Sequence, residues 1–295
     1  MTSDAGCCAG SAPRSTKTDN NMAEDDRTTR FRAERRNQVA RRAAIIRDTQ
    51  AEIFRLLDLA EQQIKTRIAN APTDWETFFL PQLQSQIRAA MSTFASEAGP
   101  ATAGSASTAW QAGIHLVDKP IAAGGIQIAA YLPAIDTRQL VAMQAFQTSL
   151  MSDIGTTLAN RINAELGLVA IGSQLQSQAI TQIEGHLKTG GRSRATTILR
   201  TELGRVYATA TQERMSQATK RLPGLQKEWR RSGKVHSRPA HNAMNGQRVG
   251  VNERFVIPFS GVHLRYPRDP NAPAAETINC GCESLPWMAS WEEAS

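Results

Sequence analysis

The chain has 295 residues, 41% of them hydrophobic and only 5% aromatic, with a formal net charge of +7. That size and apolar content can bury a core and suit long helices better than a β-sandwich. Four cysteines at positions 7, 8, 280 and 282 do not frame a secreted disulfide scaffold, and no stretch reaches the roughly 18 apolar residues of a membrane span, so no membrane partner is expected.

Residues 1–30 are polar and small and cannot offset their ordering entropy, which predicts a disordered tail in which Met22 offers an alternative start. From Phe31 to about Asn70 the pattern is helical. Val39, Ala43, Ile46, Gln50, Ile53, Leu57, Ala60 and Ile64 form a heptad-like seam, which predicts packing within the chain or self-association through residues 39–64. Asp74 is a candidate N-cap for a second helix, Pro81 should kink or restart it, and Gly99-Pro100 should stop it. A short helix over 108–117 and a loop over 119–125 follow. His115, alone on an apolar stretch, reads as a packed or surface histidine. The next helix runs about 137–165, with Asp136 as its cap, Leu140, Met143, Phe146, Leu150, Ile154, Leu158 and Ile162 as its apolar stripe and Gly167 as its end. Further helices are predicted over 173–187 and 193–222, separated by a break at Thr189-Gly190-Gly191.

After Gly224 the elements shorten. Strands are predicted at 227–231, 248–251 and 254–257, about two helical turns at 237–244, a turn at Asn245-Gly246 and a proline-fixed loop at 265–275. The fold class is therefore mainly α: an N-terminal multi-helix unit (31–192) with long amphipathic helices, a small C-terminal α+β module (193–285) with a candidate metal staple, and a tail at 286–295.

Residues 188–269 hold 17 Lys and Arg against five Asp and Glu. This points to a solvated basic face or to a polyanion-facing surface built on Arg230, Arg231, Lys234, Arg238 and Arg248. Cys280-Gly281-Cys282 sets two thiols close together, and thiolate with imidazole is a favoured zinc set. His241 is the first candidate partner, with His236 and His263 behind it. Buried free thiols beside a satisfied histidine, or a redox pair, are the alternatives. A nuclease reading lacks converging carboxylates, since Glu253, Asp269 and Glu276 are scattered singly. Arg200 and Glu202 read as an internal ion pair on a helix.

The order of these features resembles the phage Mu F-type head morphogenesis (minor capsid protein) family. The resemblance rests on Arg200-Thr201-Glu202, then Trp229, then SRPAHNAMNG at 237–246 with its Gly246, Tyr266-Pro267-Arg268-Asp269-Pro270, and AAETINCGC at 274–282 with its Asn279. It covers about 195–285. It implies a non-enzymatic, low-copy head protein of a tailed phage or prophage, located in the virion at the capsid interior or portal vertex and in the host cytoplasm during assembly. Its implied partners are the portal, the scaffold or major capsid protein, and packaged double-stranded DNA bound without sequence preference. The implied cofactor is one structural zinc on His241, Cys280 and Cys282, with His236 or water as fourth ligand because Arg238 cannot ligate. The alternatives are a metal-dependent nuclease or toxin-like enzyme delivered by the phage, and a basic nucleic-acid-binding protein.

Overall fold

A computed structural model describes residues 17–72, 78–235 and 237–291. Among the described residues five α-helices come first: α1 (Lys17–Ala69), α2 (Leu80–Ala123), α3 (Arg138–Ala170), α4 (Gln176–Gly185) and α5 (Arg192–Ala218). The module follows as β1 (Gln226–Arg230), α6 (Pro239–Ala243), β2 (Arg248–Gly250), β3 (Phe255–Val256), β4 (His263–Leu264), α7 (Ala274–Thr277) and β5 (Glu283–Trp287). Among the described residues no helix is long and apolar enough to cross a membrane.

The helical core is built by periodicity. Ile53, Leu57, Ala60 and Ile64 of α1 meet Leu83, Ile87, Met91, Phe94 and Trp110 of α2. Met151, Ile154, Leu158 and Ile162 of α3 and Leu199, Leu203, Val206 and Tyr207 of α5 close the cluster. The C-terminal half of the α1 seam, from Ile53 to Ile64, is thus buried by packing within the chain, the first of the two expectations for residues 39–64. Gln50, Ala43 and Ile46 at its other end line a cavity instead.

Several boundaries differ from the sequence reading. Helix α1 starts at Lys17 within the stretch read as a disordered tail, with Thr28 and Phe31 buried and Arg30 paired to Asp26 one turn earlier at 3.0 Å. Residues 1–16, including Cys7 and Cys8, lie outside the described residues, as does Asp74. Pro81 opens α2 at its first turn, where its missing N–H costs nothing. Gly99-Pro100 does not stop α2, which carries both Pro100 and Pro120 in its interior. Gly99 lets α3 approach closely, since a Cβ there would lie 2.8 Å from the Thr148 methyl, and Thr102 Oγ1 donates back to the Ala98 and Gly99 carbonyls. Tertiary packing outweighs the proline penalty. Likewise Thr189-Gly190-Gly191 does not break the chain. Residues His186–Gly191 form a π-helical turn that joins α4 to α5, with Gly191 lying against Leu158.

Gly113 shows how tight the α2–α5 contact is. A Cβ there would sit 2.4 Å from the Tyr207 carbonyl oxygen and 2.9 Å from Ala210 Cβ. Gly113→Ala should therefore cost about 3 kcal/mol of unfolding free energy, the upper end for overpacking, read as a lower urea midpoint at unchanged slope.

Helix α5 is the shared spine. One face enters the helical core, while Gln212 Nε2 donates to the Val251 carbonyl at 2.8 Å and Thr201 faces the module. The module's sheet is antiparallel in the order β2-β1-β5, with Trp229 opposite Ser284, and β3 pairs with β4. Strands β4 and β5 were not anticipated. Within the stretch read as a C-terminal tail, Pro286 and Trp287 belong to β5, and Trp291 stacks on Phe31 of α1 at 4.1 Å.

Candidate metal centre

Trp229 on β1, Met244 after α6, Phe255, Ile257, Leu264, Cys280 and Cys282 form the module's own small core. Trp229 meets His241 edge-on at 5.5 Å and Phe255 at 5.2 Å. Pro239 starts α6 at a first-turn position, and that short helix lowers His241 into this apolar layer until only 1% of it is exposed. Gly246, at φ +84°, turns the chain back so that its N–H reaches the Trp229 carbonyl at 2.8 Å.

His241 Nδ1 lies 3.5 Å from Cys280 Sγ and 3.8 Å from Cys282 Sγ, and the three donor atoms all fall within 4.8 Å of one another. On the other side of the ring, Nε2 lies 2.8 Å from Glu276 Oε2. A carboxylate that fixes the outer nitrogen leaves the inner one as the free donor, which is the arrangement that metal-bound histidines use. The residues present fit a thiophilic divalent ion such as zinc. Such an ion would be held by Cys280, Cys282 and His241 and would staple α6 to the segment before β5. His236 lies outside the described residues. His263 is exposed on β4 and takes no part.

Asn279 aims the cysteine pair. It adopts φ +56°, a left-handed conformation that asparagine tolerates better than most residues. Its N–H donates to Thr201 Oγ1 at 3.0 Å and its carbonyl accepts from Lys234 Nζ at 2.6 Å. Gly281 has room for nothing more, since a Cβ there would lie 2.8 Å from Ser232 Cβ. The Cys280 thiol is held well below its usual value by the Cys282 thiol that donates to it, with help from His241 and the Arg268 charge against the opposing effect of burial. Cys282 is pushed up by that same shared proton and by burial. Burial would lower His241, but Cys280 and then Glu276 outweigh it and raise the imidazole.

Behind the cysteines runs a buried charge network absent from the sequence reading. Arg268 is fully buried, with φ +69°, and its guanidinium crosses Gly204 of α5, where a Cβ would lie 2.8 Å from Nε. It donates to the Cys280 carbonyl at 2.7 Å and to both Glu283 oxygens at 3.3 Å. Arg42 of α1 meets Glu283 from the other side at 2.7 Å.

Residues 166–285 match the Phage Mu protein F like protein family. The resemblance read from about 195–285 is thereby borne out, with the match opening earlier, near the end of α3. An uncharacterised Bacillus subtilis (strain 168) protein, YqbB, is 36% identical over 102 residues, which is 34% of this chain and 32% of that protein. The NAD(+)–arginine ADP-ribosyltransferase EFV of Enterococcus faecalis (strain ATCC 700802 / V583) is 32% identical over 88 residues, 30% of this chain and 18% of that protein. The chain therefore spans under a third of the length of both relatives. No solved structure matches.

Within the Mu F-like segment the motif residues have distinct duties. Arg200 does not pair with Glu202, because residues two apart point to different sides of a helix. Glu202 binds Arg205, while Arg200 is exposed beside a cavity. Thr201, between them, accepts the Asn279 N–H beside the cysteine pair at 3.0 Å. The five cations read as polyanion-facing do not share one role. Arg230 and Arg231 are exposed, Arg238 donates to the Ile278 carbonyl at 2.8 Å, and Arg248 pairs with Glu228 at 3.1 Å over the Trp287 ring. Of the scattered carboxylates only Glu276 reaches the site. Asp269 is clamped by Arg265, and Glu253 accepts the Gly250 N–H.

Lys227, fully buried beside Trp229 on the same face of β1, donates to the Arg265 carbonyl at 2.6 Å and to Gln212 at 3.3 Å. Burial lowers its pKa to about 8, below the roughly 10.4 of an unfolded lysine. Between those values the unfolded chain binds more protons than the folded one. Stability should therefore rise from pH 8 towards 10, by at most about 3 kcal/mol, and fall back as pH drops through 8. Urea titrations at pH 7.5 and 10 should show the rise, and Lys227→Met should flatten it.

Proposed function

We propose that this protein is a minor head protein of a tailed phage or prophage, made in the host cytoplasm and carried in the virion. In this reading it acts with the portal, scaffold or major capsid protein in procapsid assembly and in packaging or delivery of double-stranded DNA. The observation that carries the proposal is the match of residues 166–285 to the Phage Mu protein F like protein family. The exposed Arg230 and Arg231 support non-specific phosphate contacts, which would be salt-sensitive. The chain's own role is structural, with Cys280, Cys282 and His241 as ligands of one zinc ion that fastens the module rather than as reactive groups.

The deciding experiment is quantitative mass spectrometry of purified particles and procapsids from the source phage or induced prophage. A few to a few tens of copies per particle, lost when the portal gene is deleted, is the expected result. Absence from both kinds of particle would overturn it.

A second reading, a phage-delivered toxin-like enzyme, is favoured only by the partial similarity to the arginine ADP-ribosyltransferase EFV. It separates from the first at His241. An enzyme using that side chain would lose activity and keep its fold in His241→Ala, whereas a stapled module would lose zinc and thermal stability together.

A further inference from the structure

A cavity of about 520 Å³ opens between α1, α5 and the segment after β1, at the outer edge of the cysteine pair. Arg42, Arg47, Arg200 and Lys234 line it, and no carboxylate does. Ile46 and Phe54 of α1 supply an apolar wall, and Cys280 and Gly281 form the floor.

The cations are not equally satisfied. Arg42 is matched by Glu283 at 2.7 Å and Arg47 by Asp48 at 3.4 Å. Lys234 Nζ reaches a neutral acceptor, the Asn279 carbonyl, and Arg200 has no carboxylate partner among the described residues. Two exposed positive charges thus line one open cleft in which no carboxylate faces them, with Cys280 on the floor as the acidic group beside Lys234. The volume lies within the roughly 300–1,000 Å³ of small-ligand sites. A carboxylate or a backbone phosphodiester would bring a single negative charge. A phosphate monoester carries about −1.5 to −2 at pH 7, and its three oxygens suit a forked guanidinium together with a point-like ammonium. The Phe54 and Ile46 wall can take the flat or apolar group that bears it.

We propose that this cavity binds a terminal phosphate monoester carried on a nucleoside, with Arg200 and Lys234 as the charge-matching residues. The ligand chemistry is shared by free mononucleotides and by the 5′-phosphorylated end of a nucleic-acid strand. The proposal does not depend on the virion reading, because it concerns a terminal phosphate and not contacts along a duplex.

Isothermal titration calorimetry of the full chain tests it, using AMP, a 5′-phosphorylated hexathymidylate and the same oligonucleotide without the phosphate. The expected result is one site per chain for AMP, for the phosphorylated oligonucleotide or for both, with at least tenfold weaker binding of the unphosphorylated strand. Binding of AMP marks the free nucleotide as sufficient, whereas binding of the phosphorylated strand alone assigns the site to strand ends. Arg200→Gln and Lys234→Met should each weaken binding at least tenfold. Arg254→Gln, an exposed arginine that does not line the cavity, should leave it unchanged. Inorganic phosphate should compete with whichever probe binds, a readout that needs no variant. Equal affinity for the two oligonucleotides, no binding of any probe, failure of phosphate to compete, or an equal loss in Arg254→Gln would each overturn the proposal.

Discussion

Glu283→Gln should destabilise the protein by about 3–5 kcal/mol, the cost of removing one member of a buried ion pair. Among the described residues Glu283 is the carboxylate that pairs with both Arg42 and Arg268, and its side chain is 4% exposed while that of Arg268 is 0% exposed. An amide in its place would leave two largely buried guanidiniums facing each other without a counter-charge. Burial already presses Arg42 below its usual value. In Arg268 the Glu283 charge, followed by the two cysteines, overcomes the same penalty and raises it. The loss should appear in urea unfolding. The double variant Glu283→Gln/Arg268→Met should be less damaged than the sum of the two single changes, because it removes one unmatched charge along with its partner. Strict additivity would show that the three side chains are neighbours without being coupled. The network matters to the architecture because its members come from α1, from the loop before α7 and from β5. Through it, the long helix grips the very strand that follows the cysteine pair.

The parts of this molecule that announced themselves in sequence are those governed by local rules. Leu140, Ile154, Leu158 and Ile162 were readable because a helix repeats every 3.6 residues, although the same stripe placed Phe146 inward, where it is exposed, and missed the buried Met151. Asn245-Gly246 was readable because a positive φ needs glycine. Cys280-Gly281-Cys282 and His241 were readable because few residues do their chemistry. What escaped depends on contacts between distant segments. Pro100 and Gly191 read as breaks, yet each sits where another helix presses close enough to outweigh local propensity. The strand β5 contains a proline and is only five residues long, and its partner β1 lies more than fifty positions earlier, so no local pattern marks it. Arg268 could not be distinguished from the many surface arginines, because only Gly204 on another helix makes room for it. Glu276 did leave a signal: an acid four residues before Cys280, on a short helix after Pro273, is well placed to support a histidine ligand. It was read singly because its partner His241 lies 35 positions away.

Protein purified without chelator should carry close to one zinc ion per chain, and Cys280→Ser or Cys282→Ser should each abolish it and lower the melting temperature. The module's small core, seven buried residues including Trp229, is thin for elements of two to five residues, and such modules ordinarily depend on a staple. Without metal, the centre would hold two thiols sharing one proton beside an imidazole, all shielded from water. With zinc, both sulfurs serve as thiolates and the proton is released, so binding strength becomes folding stability that weakens as pH falls. Glu276→Gln discriminates between the readings. It keeps all three ligands and removes only the carboxylate on His241 Nε2, so zinc should remain with affinity reduced roughly 10- to 100-fold. Metal analysis with a competing chromophoric chelator measures both quantities, and a parallel melt with excess EDTA reads the coupling to stability. If the protein takes up no zinc even from supplemented medium, and if EDTA leaves its melting unchanged, the cysteines are packed thiols. The staple role then passes to the Arg42–Glu283–Arg268 network, which holds the strand after the cysteine pair to α1.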